Sequence, residues 1–464
     1  MKRLLFLLAF APVIAHSQTY DAQNVSMLGQ WNNPSQPAEP TYGIKYQGVW
    51  GWKDTTNNHE YGIIGSSTGV NFIDVTNPAS PVMCDYVPSR HGNLIWHEIK
   101  TYRNYCYVVS DDVSPNSFQI IDMSYLPDSV HVLYDDTTVF ERCHTIFVDG
   151  DKLWCGSVTR RNNNYYSMAA YDLSADPVHP QLIRVLHQDY GSPATVHDMF
   201  VRNDTVYASG GYDGLFIYVL DDTLHHFHEI AALQNYPEQG YNHSSFLSQD
   251  GRTLIFTDEV PAGLGMKSLD VSDMSNITMN QVFRSNQGDT PHNPYIIGNN
   301  VLVSANYCDG IQVFNIGNPS NVVRTGYFDT DTLINYPNYT QAYHGAWGAY
   351  TDLPSGHILG ADMQNGLYIL DISQAILASV PENVSTVMLN AYPNPFNTNF
   401  FINLGLDKAQ DVTYTIFDNE GRMIREEKQS MPAGNSILEV DGEGLVPGMY
   451  SVRVTGETVN GTSR

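Results

Sequence analysis

Six of the 16 histidines recur at the same position of a sequence repeat, each at the start of an apolar, alternating run. They are His97, His144, His197, His243, His292 and His344, and Gln47 takes this position in the first repeat. Carboxylates accompany them: Glu98 and Asp198 directly follow a repeated histidine, and Asp111, Asp258 and Asp362 end the next expected strand. Imidazole and carboxylate groups together suit Zn²⁺ or a similar divalent metal ion, and they also suit general acid–base chemistry.

We predict that these side chains form one ligand-binding face. Its members are His97, Glu98, Asp111, His144, His197, Asp198, His243, Asp258, His292 and His344. The sector with His97, His144 and His197 is the densest, so it is the place where a divalent cation could bind. Two other interpretations stay open: each histidine caps its own strand, or a polar ligand binds without a metal. The chain contains no H-E-x-x-H or phosphate-loop motif, and the catalytic residues are unknown.

The repeat itself is an apolar strand that ends in Asp and is followed by a turn. Its copies end at Asp74, Asp122, Asp172, Asp270, Asn315 and Asp371, and a degenerate copy contains Asp221. These seven positions are 45 to 56 residues apart. A period near 50 with strand-type alternation is typical of one four-stranded blade per repeat. The sequence therefore predicts an all-β protein with a seven-bladed β-propeller over residues 25–372.

The propeller geometry predicts where the repeated histidines lie. The first strand of each blade lines the central channel, so the histidines should surround one end of it. The long connections 111–117, 159–167 and 259–265 should emerge at the same end. Residues 25–31 alternate like a lone strand, and we predict that they complete the seventh blade, which leaves no open sheet edge.

The C-terminal part of the chain has a different pattern. Residues 373–387 are predicted to be a linker, and short alternating strands over 388–464 predict a small Ig-like β-sandwich. This segment contains Tyr392, Pro393, Asn394, Pro395 and Phe396 near its start and Gly448 and Tyr450 near its end. It resembles the C-terminal type A sorting domain of the type IX secretion system. The resemblance implies that the secretion machinery is a partner and that the tail is cleaved after export.

The repeats carry a second resemblance. Residues 25–372 are similar to the choice-of-anchor B family, whose blades contain LVIVD-type repeats, and the best match is FIDVTNPASP at 72–81. This resemblance implies a bacterial extracellular propeller that occurs with different anchors. It implies no reaction and supplies no catalytic residues.

Composition and the N-terminus indicate where the protein acts. Residues 1–17 are predicted to be a signal peptide, with Lys2 and Arg3 before an apolar stretch that is too short to span a bilayer. No other segment is predicted to cross a membrane. A net charge of −26 argues against nucleic acid as a partner. The predicted location is therefore the medium or the outer-membrane surface.

These observations favour a secreted or cell-surface bacterial propeller that binds a ligand or partner at the channel face. Two alternatives use the same residues differently. One is a metal-dependent hydrolase or lyase that uses the histidine and carboxylate ring, and the other is a structural adhesin. The sequence does not decide the ligand, the anchor, the pairing of the five cysteines or the oligomeric state.

Overall fold

Alternating apolar and polar residues form strands through most of the chain. The computed structural model describes residues 20–112, 116–162, 164–331, 344–378, 389, 391–406, 408–418, 423–456 and 460–463. The predicted signal peptide, most of the predicted linker and parts of two predicted loops (113–115 and 163) lie outside the described residues. The chain divides into two compact units, Met1–Ser379 and Val380–Arg464. Among the described residues, no helix is long and apolar enough to cross a membrane.

Seven antiparallel sheets follow one another in the described part of the first unit. Two strands, β1 (Ala22–Gln23) and β2 (Ser26–Trp31), precede them. Sheet 1 contains β3 (Tyr46–Lys53), β4 (Glu60–Ser66), β5 (Gly69–Asp74) and β6 (Val82–Pro88). Sheet 2 contains β7 (Glu98–Tyr102), β8 (Tyr105–Val109), β9 (Phe118–Asp122) and β10 (His131–Asp136). Sheet 3 contains β11 (Arg142–Asp149), β12 (Lys152–Thr159), β13 (Tyr165–Asp172) and β14 (Gln181–Val185), followed by a 3₁₀-helix (Leu186–Gln188).

The remaining sheets repeat this order. Sheet 4 contains β15 (Asp198–Arg202), β16 (Thr205–Ser209), β17 (Leu215–Leu220) and β18 (Phe227–Leu233). Sheet 5 contains β19 (Asn242–Leu247), β20 (Thr253–Asp258), β21 (Met266–Asp270) and β22 (Thr278–Phe283). Sheet 6 contains β23 (Asn293–Ile297), β24 (Val301–Ala305), β25 (Ile311–Asn315) and β26 (Val323–Phe328). Sheet 7 contains β27 (Ala346–Tyr350), β28 (Ile358–Asp362) and β29 (Gly366–Asp371), and helix α1 (Ser373–Ala378) follows.

The first strands of neighbouring sheets contact one another in a closed ring. The ring runs through β3, β7, β11, β15, β19, β23 and β27, which contacts β3 again. Buried apolar clusters join neighbouring sheets, as where Phe118 and Ile120 of β9 meet Ile146 of β11. The alternation of each strand allows this, because successive side chains point to opposite faces of a sheet. The all-β, propeller-like fold that the sequence predicts is confirmed.

The repeated Asp has a structural role at the end of each third strand. Its side-chain oxygen accepts a hydrogen bond from the backbone N–H two residues later, at 2.9 Å from Thr76 to Asp74 and 2.8 Å from Ser373 to Asp371. Asp122, Asp172, Asp221, Asp270 and Asn315 accept the same bond. A short acceptor side chain stabilises such a turn. The most regular feature of the sequence therefore fixes turns rather than a site.

The two N-terminal strands pair with strands of sheets 6 and 7. β1 pairs with β26, and β2 pairs with β29 as the fourth strand of sheet 7. This pairing agrees with the predicted role of residues 25–31. Helix α1 packs against β25 and β26, so the segment predicted to be a linker begins with a docked helix. Ala375 of this helix is fully buried in an apolar cluster, so an apolar contact holds the helix against these strands.

Removal of residues 20–31 should lower the melting temperature of the protein. Val25 is buried, Leu28 and Trp31 are partly buried against the core between sheets 7 and 1, and full burial of one aliphatic side chain contributes about 1.5–3 kcal/mol. Met27 lies in the same strand but is 39% exposed, so Met27→Ala is the control. Thermal unfolding followed by circular dichroism measures both variants. An unchanged melting temperature in the truncated chain would contradict this account of closure.

The second unit has two sheets and a core of its own. One sheet contains β30 (Ala391–Tyr392), β31 (Asn399–Leu406) and β34 (Gly434–Asp441). The other contains β32 (Gln410–Phe417), β33 (Met423–Met431), β35 (Ser451–Gly456) and β36 (Asn460–Ser463). Buried side chains from both sheets, such as Ile402, Tyr414 and Val454, pack together. In strands such as β31 and β34, the buried positions alternate with more exposed ones, as the sequence pattern indicates.

Candidate functional site

A cavity of about 260 Å³ is lined by residues at or near the starts of several first strands in the ring. Four of the six repeated histidines line it: His144, His197, His243 and His292. They lie in β11 and β19 or directly before β15 and β23, so the ring of sheets places them side by side. Trp96, Tyr212, Tyr241 and Trp347 supply aromatic walls, and Glu259 and Val260 complete the lining.

The four imidazoles form a continuous row. Their ring centroids are 4.1 Å apart between His144 and His197, 4.5 Å between His197 and His243, and 4.2 Å between His243 and His292. The Nε2 atoms of His144 and His197 are 3.2 Å apart. The aromatic walls continue the row, since Trp347 lies 4.7 Å from His292 and Tyr241 lies 5.0 Å from His197.

Hydrogen bonds fix which nitrogen faces the other imidazoles. The Nδ1 of His243 is 3.1 Å from the carbonyl oxygen of His292, and the Nδ1 of His292 bonds the carbonyl oxygen of Trp347. A carbonyl only accepts, so each Nδ1 donates its proton and Nε2 keeps its lone pair in the neutral ring. The Nδ1 of His144 donates to the carboxylate of Asp111 at 2.8 Å. Asp111 therefore orients His144 without lining the cavity.

Burial sets the charge of these imidazoles. It lowers the pKa of His243 to about 4 and that of His292 to about 3. Burial also lowers the pKa of His197, and the neighbouring imidazoles, His144 first, lower it further. Burial opposes protonation of His144 as well, but the carboxylate of Asp111 outweighs it and raises the pKa of His144 to about 9. At neutral pH the row thus contains one cationic ring beside three neutral ones.

Two predicted carboxylates lie at a smaller space that shares the four imidazoles. This space of about 30 Å³ is also lined by Glu98, Thr145, Asp198 and Asn293, and its volume suits one water molecule. Asp198 accepts hydrogen bonds from Thr145 at 2.8 Å, Ser244 at 2.7 Å and Asn293 at 3.2 Å. Glu98 forms an ion pair with Lys100, while burial raises its pKa. Both carboxylates therefore have partners within the protein.

The structure separates His97 and His344 from the cavity. The Nδ1 of His97 is 3.0 Å from the side-chain oxygen of Gln47, and its Nε2 is 2.9 Å from the hydroxyl of Ser89. Both ring nitrogens of His97 are thus occupied, although the ring borders the smaller space. The Nδ1 of His344 bonds Asp331 at 2.6 Å. The predicted metal sector of His97, His144 and His197 is therefore divided, and only its last two members share the cavity.

Asp258 and Asp362 were predicted to lie near the histidine ring, but neither lines the cavity. Asp258 forms an ion pair with Lys267 at 2.6 Å, and both side chains are fully buried. It also accepts a hydrogen bond from the hydroxyl of Tyr236 at 2.8 Å. Asp362 accepts the backbone N–H groups of Gln364 and Asn365 and so closes a turn. Both carboxylates stabilise the fold within their own sheets.

Glu259 is the cavity carboxylate that the sequence analysis did not select. Its Oε1 accepts a hydrogen bond from the hydroxyl of Tyr307 at 2.6 Å, and its Oε2 is 3.9 Å from Nε2 of His243. Ligand atoms of His197, His243 and Glu259 all lie within 4.8 Å of one another. A signal was present in the sequence: Glu259 follows Asp258 directly, so the alternation of a strand turns it to the opposite face.

Comparison with known proteins identifies the tail. Residues 390–464 match the family model described as the secretion system C-terminal sorting domain. This domain supports export of the chain to the cell surface or the medium, with the type IX secretion machinery as its partner. No curated protein sequence matches the chain.

Two solved structures resemble the chain at low sequence identity. A putative 6-phosphogluconolactonase from Bacteroides uniformis is 13% identical, with a TM-score of 0.48, over 85% of this chain and 99% of that chain. U3-55K is 10% identical, with a TM-score of 0.49, over 75% of this chain and 98% of that chain. At this level of similarity neither relative indicates an activity, so the function is argued from the cavity.

Proposed function

We propose that this protein is a secreted or surface-attached seven-bladed β-propeller that binds a small polar extracellular ligand in the histidine cavity. The seven sheets are its blades, and the second unit is an Ig-like sorting module. The observation that carries the proposal is the cavity itself, where four imidazoles and a carboxylate face aromatic walls at the first strands of the ring. A concave site with aromatic walls and a few convergent polar groups is typical of ligand recognition.

The lining favours a carbohydrate as the ligand. Aromatic rings pack against the apolar face of a sugar, and imidazole and carboxylate atoms bond its hydroxyl groups. The volume of about 260 Å³ is slightly below the range of roughly 300–1,000 Å³ that holds drug-sized ligands. The part that binds is therefore small, such as one sugar residue of a longer chain. Tyr212, which is 68% exposed, lies where the rest of such a chain would pass.

Tyr212→Ala should weaken binding of an oligosaccharide without changing the stability of the protein. The exposed ring contributes packing to a ligand but little to the core, so we expect about a tenfold increase in Kd, or ~1.4 kcal/mol. Trp96 and Trp347 line the cavity, so intrinsic fluorescence reports occupancy. The full mature chain would be titrated with a panel of soluble neutral and acidic oligosaccharides.

The matched control is Tyr125→Ala. Tyr125 is 52% exposed, stacks on His131 in sheet 2 and does not line the cavity. The Tyr125→Ala variant should bind the oligosaccharide with the same Kd as the unaltered protein. If no oligosaccharide in the panel binds, the ligand proposal fails and a structural adhesin becomes the better account. Equal losses in both variants would place binding outside the cavity.

A hydrolase or lyase is the second candidate function, and His144 favours it. The Asp111 carboxylate orients the ring and keeps it protonated, and this pairing is a common way to hold a catalytic histidine, here as a general acid. The same titrated samples decide between the two functions. Shortened oligosaccharides after incubation would indicate an enzyme, and intact ones a binding protein.

A further inference from the structure

We propose that the histidine cavity is a site for a divalent transition-metal ion, bound by His197, His243 and Glu259 with His144 as a fourth ligand. The inference deepens the proposed function and rests on it, because the ion would occupy the same cavity as the ligand. It replaces the sector expected from the sequence, since His97 has both nitrogens engaged elsewhere.

The donor atoms are of the right chemical type. Two or three imidazoles with one carboxylate form the protein ligand set of many zinc sites and of related iron and manganese sites. No lysine or arginine is among the described residues that line the cavity, and the one cationic ring, His144, is paired with Asp111 rather than with Glu259. The carboxylate and the neutral imidazoles offer lone pairs to a bound cation, and His144 would release the proton of its Nε2 when the ion binds.

The hydrogen bonds behind the imidazoles match those of metal ligands. A metal-binding histidine usually donates its other ring N–H to a carboxylate or a backbone carbonyl, which fixes the tautomer and the ring orientation. His144 bonds Asp111 in this way, and His243 bonds the carbonyl oxygen of His292. The Nδ1 of His197 lies 3.2 Å from the hydroxyl of Tyr241, which directs its Nε2 toward His144.

The distances between the donor atoms suit one ion. Two ligands at about 2.0–2.1 Å from a tetrahedral zinc ion are ~3.3 Å apart. The Nε2 atoms of His144 and His197 are 3.2 Å apart, which is close to this value. The three atoms of His197, His243 and Glu259 lie within 4.8 Å of one another, so binding would draw this group slightly inward. Oε2 of Glu259 is 3.9 Å from Nε2 of His243, so these two atoms would move closer together when the ion binds.

The test measures metal directly and requires no sugar. The full mature chain would be stripped with a chelator and dialysed against Zn²⁺, Mn²⁺ or Co²⁺ separately, and bound metal would be counted by mass spectrometry. We expect about one ion per chain, and with Co²⁺ the absorption bands of an imidazole-ligated site. His243→Gln and His197→Gln should each lower the metal affinity at least about tenfold, since loss of only a hydrogen-bond partner behind a ligand already costs about 10–100-fold, and dialysis at a limiting ion concentration would show this as lost metal.

The matched control is His344→Gln. His344 is a repeated histidine that bonds Asp331 away from the cavity, and Gln47 shows that the ring accepts glutamine at this position. This variant should keep its ion, and circular dichroism would check that all variants fold. Metal that persists in both His243→Gln and His197→Gln would overturn the site and would indicate surface histidines instead.

The outcomes separate this inference from the proposed function. Oligosaccharide binding by a chain that takes up none of the three ions would overturn the metal site alone. Uptake of one ion by a chain that binds no oligosaccharide would support the metal site and refute the proposed ligand. Loss of sugar binding on chelation, restored by the ion, would support both.

Discussion

A chain that ends at residue 387 should fold its seven-sheet unit and yet fail to reach the cell surface. The sorting domain at 390–464 is the part that the secretion machinery recognises, so its removal should abolish surface delivery rather than reduce it. The second unit has its own buried core, which includes Ile402, Tyr414 and Val454. The first unit should therefore keep its core, and the truncated protein should accumulate in the periplasm.

Cell fractionation and protease treatment of intact cells measure this outcome. The unaltered chain should be found in the medium or be digested on intact cells, whereas the truncated chain should be protected. An unrelated folded domain with residues 1–19 at its N-terminus and residues 388–464 at its C-terminus is the positive control and should be delivered. Normal surface delivery of the truncated chain would show that another segment carries the export signal across the outer membrane.

Lys267→Met should lower the free energy of unfolding by about 3–5 kcal/mol. The Nζ of Lys267 is 2.6 Å from Asp258, and neither side chain is exposed. Loss of one partner leaves the other charge buried without compensation, and this costs about 3–5 kcal/mol. The remaining hydrogen bond from Tyr236 to Asp258 does not neutralise the carboxylate. Urea denaturation of the full chain, followed by circular dichroism, measures the change.

Two comparisons make this result specific. Arg90→Met removes a half-exposed ion pair with Asp135 and should cost no more than about 1 kcal/mol. Joint replacement of Asp258 by Asn and Lys267 by Met should recover part of the lost stability, because no isolated charge remains and the amide oxygen can still accept the hydrogen bond from Tyr236. If Lys267→Met costs no more than Arg90→Met, the pair is not a stabilising element. Unchanged stability with lost ligand binding would return Asp258 to the functional face.

The sequence predicts the position of the repeated histidines but not which of them share a cavity. Their spacing places one at the start of nearly every first strand, and the structure agrees. The separation of His97 and His344 depends on Ser89 and Asp331, which lie in the connections before these histidines and reach them only in the folded chain. Repeat spacing contains no information about such partners, because each connection has its own sequence.

Prediction from the sequence is limited for the carboxylates too, even between two neighbouring residues. Asp258 and Glu259 are neighbours, yet one pairs with a buried lysine and the other lines the cavity. Alternation indicates that they point to opposite sides, but it does not indicate which side is which. Lys267 decides this, since it lies on the adjacent strand β21. A charged residue within the apolar run of a third strand was the available signal for this partner.

The pairing of β2 with β29 has a consequence for how the chain folds. Ser26 lies opposite Asp371, so this contact joins segments separated by almost the whole first unit. Closure of so long a loop costs more entropy than any hairpin within a sheet, and such non-local contacts slow folding. During synthesis β29 emerges after the six preceding sheets, so the ring cannot close on a partly made chain. After β29 has formed and before β2 pairs with it, the edge of sheet 7 is open to other chains. Aggregation would compete with ring closure during this interval.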